Sequence, residues 1–218
     1  ASSGAGLERH GARLPCRMTR FHSPSRHCYA GSAIGRERRD RAGCLVTKCL
    51  SLMLDTRRIH LISCIGVDTE LALLPHFVDH YRGLGIAPDA MQLILNTPNP
   101  DSPNLDAAQA ILHQQGITNA DVWIAPYTSG AMWARRRELQ QARVAAGDWV
   151  VNADVDEFHE YPANLETFLD WCATRGINVA QGVFIDRLAP DGQLKPVAAE
   201  WAMNTQFPLA AEVQCALG

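Results

Sequence analysis

Apolar and polar positions follow two distinct rhythms along residues 58–188. Short apolar runs rich in β-branched residues predict buried strands, and apolar residues spaced three and four apart predict amphipathic helices. The predicted strands are 59–65, 91–96, 122–125, 150–153 and 178–185. The predicted helices are 71–84, 106–115, 130–146 and 162–175, the first stopped by Gly83 and Gly85 and the second by Gly116.

Strand and helix alternate four times in succession from residue 59. This order is typical of a parallel sheet with right-handed crossovers and helices on both faces. A chain of 218 residues supports one large core of this kind but hardly two. The sequence therefore predicts the α/β class, with a single Rossmann-like domain over residues 58–218 and a mostly parallel central sheet flanked by helices.

The first quarter of the chain has a different composition. Residues 1–58 hold 12 Lys and Arg against 4 Asp and Glu, whereas the remainder holds 8 against 19. Residues 1–44 show little apolar periodicity, so we expect 1–57 to form a basic, disordered extension ahead of the domain. Nucleic acid is not an expected partner, because the arginines show no aromatic interleaving. Peripheral contact with an anionic membrane surface stays open for this segment.

Cysteine usage and hydropathy bear on the compartment. The seven cysteines form no C-x-x-C pair and are odd in number, which favours reduced thiols over a disulfide scaffold. No apolar run approaches the roughly 20 residues that span a bilayer. We therefore expect a cytoplasmic protein without a transmembrane segment.

Three acids follow the predicted strand 150–153. Asp154 and Asp156 are separated by one residue, and Glu157 comes directly after them. Ligands of open α/β sheets bind outside the carboxyl ends of the strands, and carboxylates this close repel one another unless a cation or hydrogen-bond donors compensate. Mg²⁺ and Mn²⁺ take oxygen ligands, usually one or two carboxylates with water and substrate phosphates. A metal-bridged diphosphate is therefore the expected ligand here.

Four segments, taken in order, resemble a known family. They read LISCIGVDTELALLPHFVDHYRGLGI, LILN, GDWVVNADVDEF and GVFIDRLAPDGQL. Together they are similar to a family-2-type glycosyltransferase of the subgroup with a D-x-D-E-F signature, over about residues 58–208. Asp-x-Asp alone is a weak signal, but the H-Y-R-x-L-G helix end and the three preceding strand–helix units strengthen it. The resemblance implies the nucleotide-sugar-binding α/β sandwich called GT-A.

The resemblance also implies ligands for particular residues. Asp154 and Asp156 match the motif that holds Mn²⁺ or Mg²⁺ and the donor diphosphate, with Asp156 the first candidate for direct ligand. Glu70 occupies the place where relatives hold the nucleoside, and Asn96 the place where many set an Asp against the base. The implied partners are a nucleotide-sugar donor and a glycan or lipid-linked acceptor.

An inverting transfer needs a general base near the acceptor hydroxyl. Asp186, which is expected at the end of strand 178–185, is the first candidate, and Glu157 is the second. In the wider family the base and further histidine-bearing segments lie farther along than this chain extends. The resemblance thus implies an incomplete acceptor side.

Simpler interpretations stand beside these. Asp154 and Asp156 fit a solvated acidic turn, Glu70 a helix N-terminal carboxylate, and 135–137 a solvated arginine face rather than a phosphate contact. At the level of function, one alternative is a non-catalytic or truncated nucleotide-binding remnant. A less favoured one is a phosphatase of the haloacid dehalogenase kind, in which the first Asp of such a motif is the nucleophile.

Overall fold

The computed structural model describes residues 17–20 and 58–212. Within them, six strands form one sheet in the order β4-β3-β2-β5-β1-β6, and two more form a separate antiparallel pair. The strands of the large sheet are β1 (Arg17–Arg20), β2 (Ile59–Gly66), β3 (Met91–Thr97), β4 (Asp121–Ile124), β5 (Trp149–Asn152) and β6 (Val179–Gln181). The pair consists of β7 (Ile185–Leu188) and β8 (Leu209–Glu212).

The four central strands β4, β3, β2 and β5 are all parallel, as predicted. Leu61 of β2 lies opposite Met91 of β3 on one side and Val151 of β5 on the other. All seven residues of β3 are buried, which explains its continuous apolar run, because a parallel strand is covered on both faces. The α/β class and the parallel core are therefore confirmed.

Helices follow the central strands in the predicted order. They are α1 (Val67–Glu70), α2 (Leu74–Gly83), α3 (Pro103–Gln114), α4 (Ser129–Arg143), α5 (Leu165–Thr174) and α6 (Met203–Gln206). A 3₁₀ turn at Leu71–Leu73 joins α1 to α2. The fourth helix ends three residues earlier than predicted, since Val144 is extended with φ −107° and ψ 124°.

Both faces of the sheet carry a core. Along β2, Leu61 and Ile65 join the larger cluster, which includes Phe77 of α2. Ile62 and Cys64 point the other way, into a smaller cluster covered by Met132 and Leu139 of α4. The alternation follows from the two-residue period of a strand, and it places helices on both faces.

Two predictions about the sheet are wrong. Residues 17–20 were expected to lack structure, yet they form β1 between β5 and β6. They pair antiparallel with β5. The RMTR sequence has no alternation of apolar and polar residues that would predict a strand. The rest of the predicted basic extension lies outside the described residues.

The second error concerns the predicted strand 178–185. It divides at residues 182–184 into β6 and β7, and β7 pairs with β8 instead of joining the large sheet. Gly182 stands at the break, and glycine weakens a strand interior.

The start of β5 is tied to β2 by a buried polar contact. His60 is 3% exposed, and its Nε2 lies 3.0 Å from Asp148 Oδ2. The other carboxylate oxygen of Asp148 accepts the Arg58 N–H at 3.0 Å. This contact fixes the register that brings the carboxyl ends of β2 and β5 together.

Two further findings concern the cysteines and the helices of the described residues. Cys64 and Cys172, which are the cysteines in the described part of the chain, are buried and form no disulfide. Among the described helices, none is long and apolar enough to cross a membrane.

Candidate functional site

Three carboxylates lie at the carboxyl ends of the neighbouring strands β2 and β5. Glu70 ends α1, which follows β2 directly, and Asp154 and Asp156 lie just beyond β5. The negative charges of Asp156 and Asp154 both act on Glu70. The structure therefore brings together three of the predicted site residues at one edge of the sheet.

Glu70 is partly buried, and its carboxylate turns back onto the start of its own helix. Its Oε2 accepts the Gly66 N–H at 2.6 Å. The pKa of Glu70 is raised from 4.5 to about 7, chiefly by burial. The Gly66 hydrogen bond and the Arg136 charge oppose this rise, and the charges of Asp156 and Asp154 add to it. The contact fits the helix-terminus interpretation, and nucleoside binding by Glu70 stays a prediction.

Asp154 forms an ion pair with Arg136 of α4. Arg136 Nη2 lies 2.5 Å from Asp154 Oδ1 and donates to the Ala153 carbonyl at 3.2 Å. The Arg136 side chain is 4% exposed and that of Asp154 is 54% exposed. The predicted solvated face of 135–137 is wrong for Arg136, although Arg135 and Arg137 are exposed.

The spacing of apolar residues along α4 predicts that Arg136 is buried. Met132 and Leu139, which lie four residues before it and three after it, are buried on the same stripe of α4. Burial of a charged side chain is costly unless it is paired. Its position on an apolar stripe therefore indicates a nearby carboxylate.

Glu157 shapes the turn that carries the acids. Its Oε2 accepts the Asp154 N–H at 3.0 Å, and its own N–H donates to the Asp154 carbonyl at 2.9 Å. Tyr81 of α2 donates its hydroxyl to the Glu157 carbonyl at 2.9 Å. Glu157 thus lies beside Asp154 with its carboxylate engaged by the backbone, and its role as a general base stays a prediction.

Aromatic side chains hold this turn against α2. Phe158 packs edge-on to His80 with ring centres 5.4 Å apart, and Tyr81 packs in the same way on His159 at 5.7 Å. His80 Nε2 lies 2.9 Å from the His159 carbonyl, and burial lowers the pKa of His80. A neutral His80 donates to that carbonyl and packs on the Phe158 ring.

Asn96 lies at the end of β3 and is 3% exposed. Its amide nitrogen donates to the carbonyls of Trp123 at 2.9 Å and Ala125 at 3.0 Å. Both amide hydrogens therefore fasten β4 to β3. Contact between Asn96 and a nucleotide base stays a prediction, which can involve only its Oδ1.

Asp186 does not lie at the end of a strand in the large sheet. It is within β7 and pairs with Ala211 of β8. The prediction of its position rested on a continuous strand 178–185, which the structure divides. Its role as a general base stays a prediction.

Asp68 of α1, which is not among the predicted site residues, holds the loop after β3 beside this edge. Its carboxylate accepts hydrogen bonds from Ser102 Oγ at 2.5 Å, Thr97 Oγ1 at 2.6 Å and Asn104 Nδ2 at 3.4 Å. The bonds from Ser102 and Thr97 lower the pKa of Asp68. The signal in the sequence is an acid after β2 together with hydroxyl residues at the end of β3 and just after it.

The carboxylate edge does not form a closed metal cage. Within residues 17–20 and 58–212, no three His, Cys, Asp or Glu side chains are placed to hold a metal ion. Two concavities, of about 190 and 340 Å³, lie elsewhere, one against α4 and β4 and the other between Leu84 and Asn164. The donor set is hard oxygen, which fits a divalent ion held by few protein ligands and completed by water and phosphate oxygens.

No protein-family model matches the chain, and comparisons with curated proteins and with solved structures give no significant match. Membership of the glycosyltransferase family therefore stays a prediction from the residues quoted above.

Proposed function

We propose that the domain is a metal-dependent glycosyltransferase that moves a sugar from a nucleotide-sugar donor to the hydroxyl of a glycan or lipid-linked acceptor, with inversion. The observation that carries the proposal is the concentration of Glu70, Asp154 and Asp156 where parallel β2 and β5 end, close enough for two of the charges to raise the pKa of the third. That edge is where ligands of open α/β sheets bind.

Each carboxylate has a separate role in this proposal. Asp156, which is exposed, is the direct ligand of Mn²⁺ or Mg²⁺, and Asp154 is held beside it by Arg136. When bound, the cation supplies Lewis-acid stabilisation of the negative charge that develops on the departing nucleoside diphosphate. Glu70 and Asn96 line the nucleotide side of the same edge.

The acceptor side has two candidate bases. Glu157 already accepts the Asp154 N–H, so its first role is to shape the turn. Asp186 is therefore the base to test, although β7 belongs to the smaller sheet. The non-catalytic remnant is the alternative to consider, because Arg136 already compensates one of the two aspartates.

Isothermal titration calorimetry with uridine and guanosine diphosphates, with and without Mn²⁺, tests the proposal. The wild-type protein should bind one of them only when Mn²⁺ is present, and D156N should lose that binding. D170N is the matched control, since Asp170 is exposed on α5. The melting temperatures of the metal-free variants should stay within about 2 °C of wild type, because an exposed surface change costs little.

The outcomes separate the candidates. Mn²⁺-dependent nucleotide binding without transfer or hydrolysis of a donor sugar would identify a remnant. Phosphate release from simple monoesters would identify a phosphatase. Nucleotide binding that D156N leaves intact would contradict the role given to Asp156.

A further inference from the structure

We infer that Arg136 is a positioning residue for the cation–diphosphate site, acting through Asp154. The inference rests on the proposed function and extends it to a residue in α4. Arg136 touches neither metal nor substrate in this account. Its task is to fix the carboxylate beside Asp156 and to offset part of the charge there.

The geometry places Arg136 at the tip of β5. One nitrogen, Nη2, contacts both the last carbonyl before the turn, that of Ala153, and the first carboxylate after it, that of Asp154. The same group therefore ties the strand end and the acid to α4. A change at this point moves the backbone that carries Asp156 two residues later.

The burial of Arg136 is costly, which argues for a role beyond packing. The side chain is 4% exposed, its Nε has no hydrogen-bond partner among the described residues, and its guanidinium lies 5.2 Å from the centre of the Trp133 ring. An apolar residue of similar volume often stabilises a fold as well as a buried ion pair does. A strictly structural need at this position would not require the charge.

The charge of Arg136 acts on Asp154 directly. The guanidinium lies 2.5 Å from Asp154 Oδ1 and offsets the charge of that carboxylate. Without Arg136, Asp154 would lose the contact that fixes its orientation. Arg136 thereby keeps Asp154 in place beside Asp156.

Outer-shell partners of metal ligands typically change metal affinity by about 10- to 100-fold when they are removed. We therefore expect R136M to weaken Mn²⁺-dependent nucleotide binding by that factor. R137M, which changes the exposed neighbour in the same helix, should stay within about twofold of wild type. R136K should recover part of the loss, because lysine keeps the charge without the fork.

A double-mutant cycle separates positioning from general structural damage. If Arg136 acts through Asp154, R136M should weaken binding no further in a D154A background. Losses that add in the double variant would overturn the inference, as would an R136M affinity equal to that of R137M. If R136M alone fails to fold, R136M/D154A carries no uncompensated charge at this point, and wild-type affinity in that variant would overturn the inference.

The failure of this inference is distinguishable from failure of the proposed function. Absence of Mn²⁺-dependent nucleotide binding in the wild-type protein would contradict both. Binding in the wild type that R136M leaves unchanged would contradict the inference alone.

Discussion

Glu70 should make the stability of the domain fall as pH rises toward neutrality. In the unfolded chain its pKa has the ordinary value of 4.5, and in the folded protein it is about 7. The folded state therefore binds more protons than the unfolded state between these values. The contribution of Glu70 to stability is therefore fully present below about pH 4.5 and is lost as pH rises through about 7.

The size of the effect follows from the two pKa values. Each pKa unit corresponds to about 1.4 kcal/mol, so the shift from 4.5 to about 7 amounts to about 3 kcal/mol in full. Between pH 5 and pH 8 about 2.5 kcal/mol of this change is expected. A domain stabilised by about 5–15 kcal/mol would show it clearly.

The variant E70Q isolates this contribution. Glutamine does not titrate, and its side-chain oxygen can still accept the Gly66 N–H. Urea denaturation of both proteins from pH 5 to pH 8 should show E70Q gaining about 2.5 kcal/mol on wild type across the range. E138Q, at an exposed position on α4, should run parallel to wild type.

Parallel curves for E70Q and wild type would refute the reasoning. They would mean that burial and the charges of Asp154 and Asp156 do not destabilise the ionised form of Glu70. The carboxylate cluster would then lose the observation on which the proposed function depends.

Two other residues give independent checks. N96A should lower the free energy of unfolding by about 1–3 kcal/mol, because it removes the side-chain donor from the carbonyls of Trp123 in β4 and of Ala125 just after it. Urea denaturation beside N178A, an exposed asparagine, measures this, and equal stability of the two variants would contradict it. The Cys64 thiol, whose pKa burial raises to about 11, should resist alkylation at pH 8 in the native protein and react after denaturation. Peptide-level mass spectrometry reads that difference, and rapid labelling of native Cys64 would show that the thiol is accessible.

The central sheet was predictable because its strands carry their own signal. Parallel strands buried on both faces appear as continuous apolar runs, and β2, β3 and β5 are such runs. β1 was missed because its residues gain their place from pairing with β5 and not from an alternation of their own. The separation of β7 from β6 was missed because both parts are short and adjacent in the sequence, and their different partners distinguish them.

The location of the acids was predictable, but their environments were not. A strand followed by Asp-x-Asp fixes which edge of the sheet the carboxylates occupy. It does not fix what each one contacts, since Arg136 approaches from a helix 18 residues earlier in the chain. Asn96 shows the same limit, because its donors are consumed by carbonyls 27 and 29 residues away.

The two aspartates of the motif therefore have different chemistry although one residue separates them. Val155 between them is fully buried and anchors the turn in the core, while Asp154 is drawn to the buried guanidinium and Asp156 is exposed. The charges of both aspartates add to the burial that raises the pKa of Glu70, so a proton on Glu70 relieves repulsion at this edge. A divalent ion bound by Asp156, as proposed, would relieve the same repulsion.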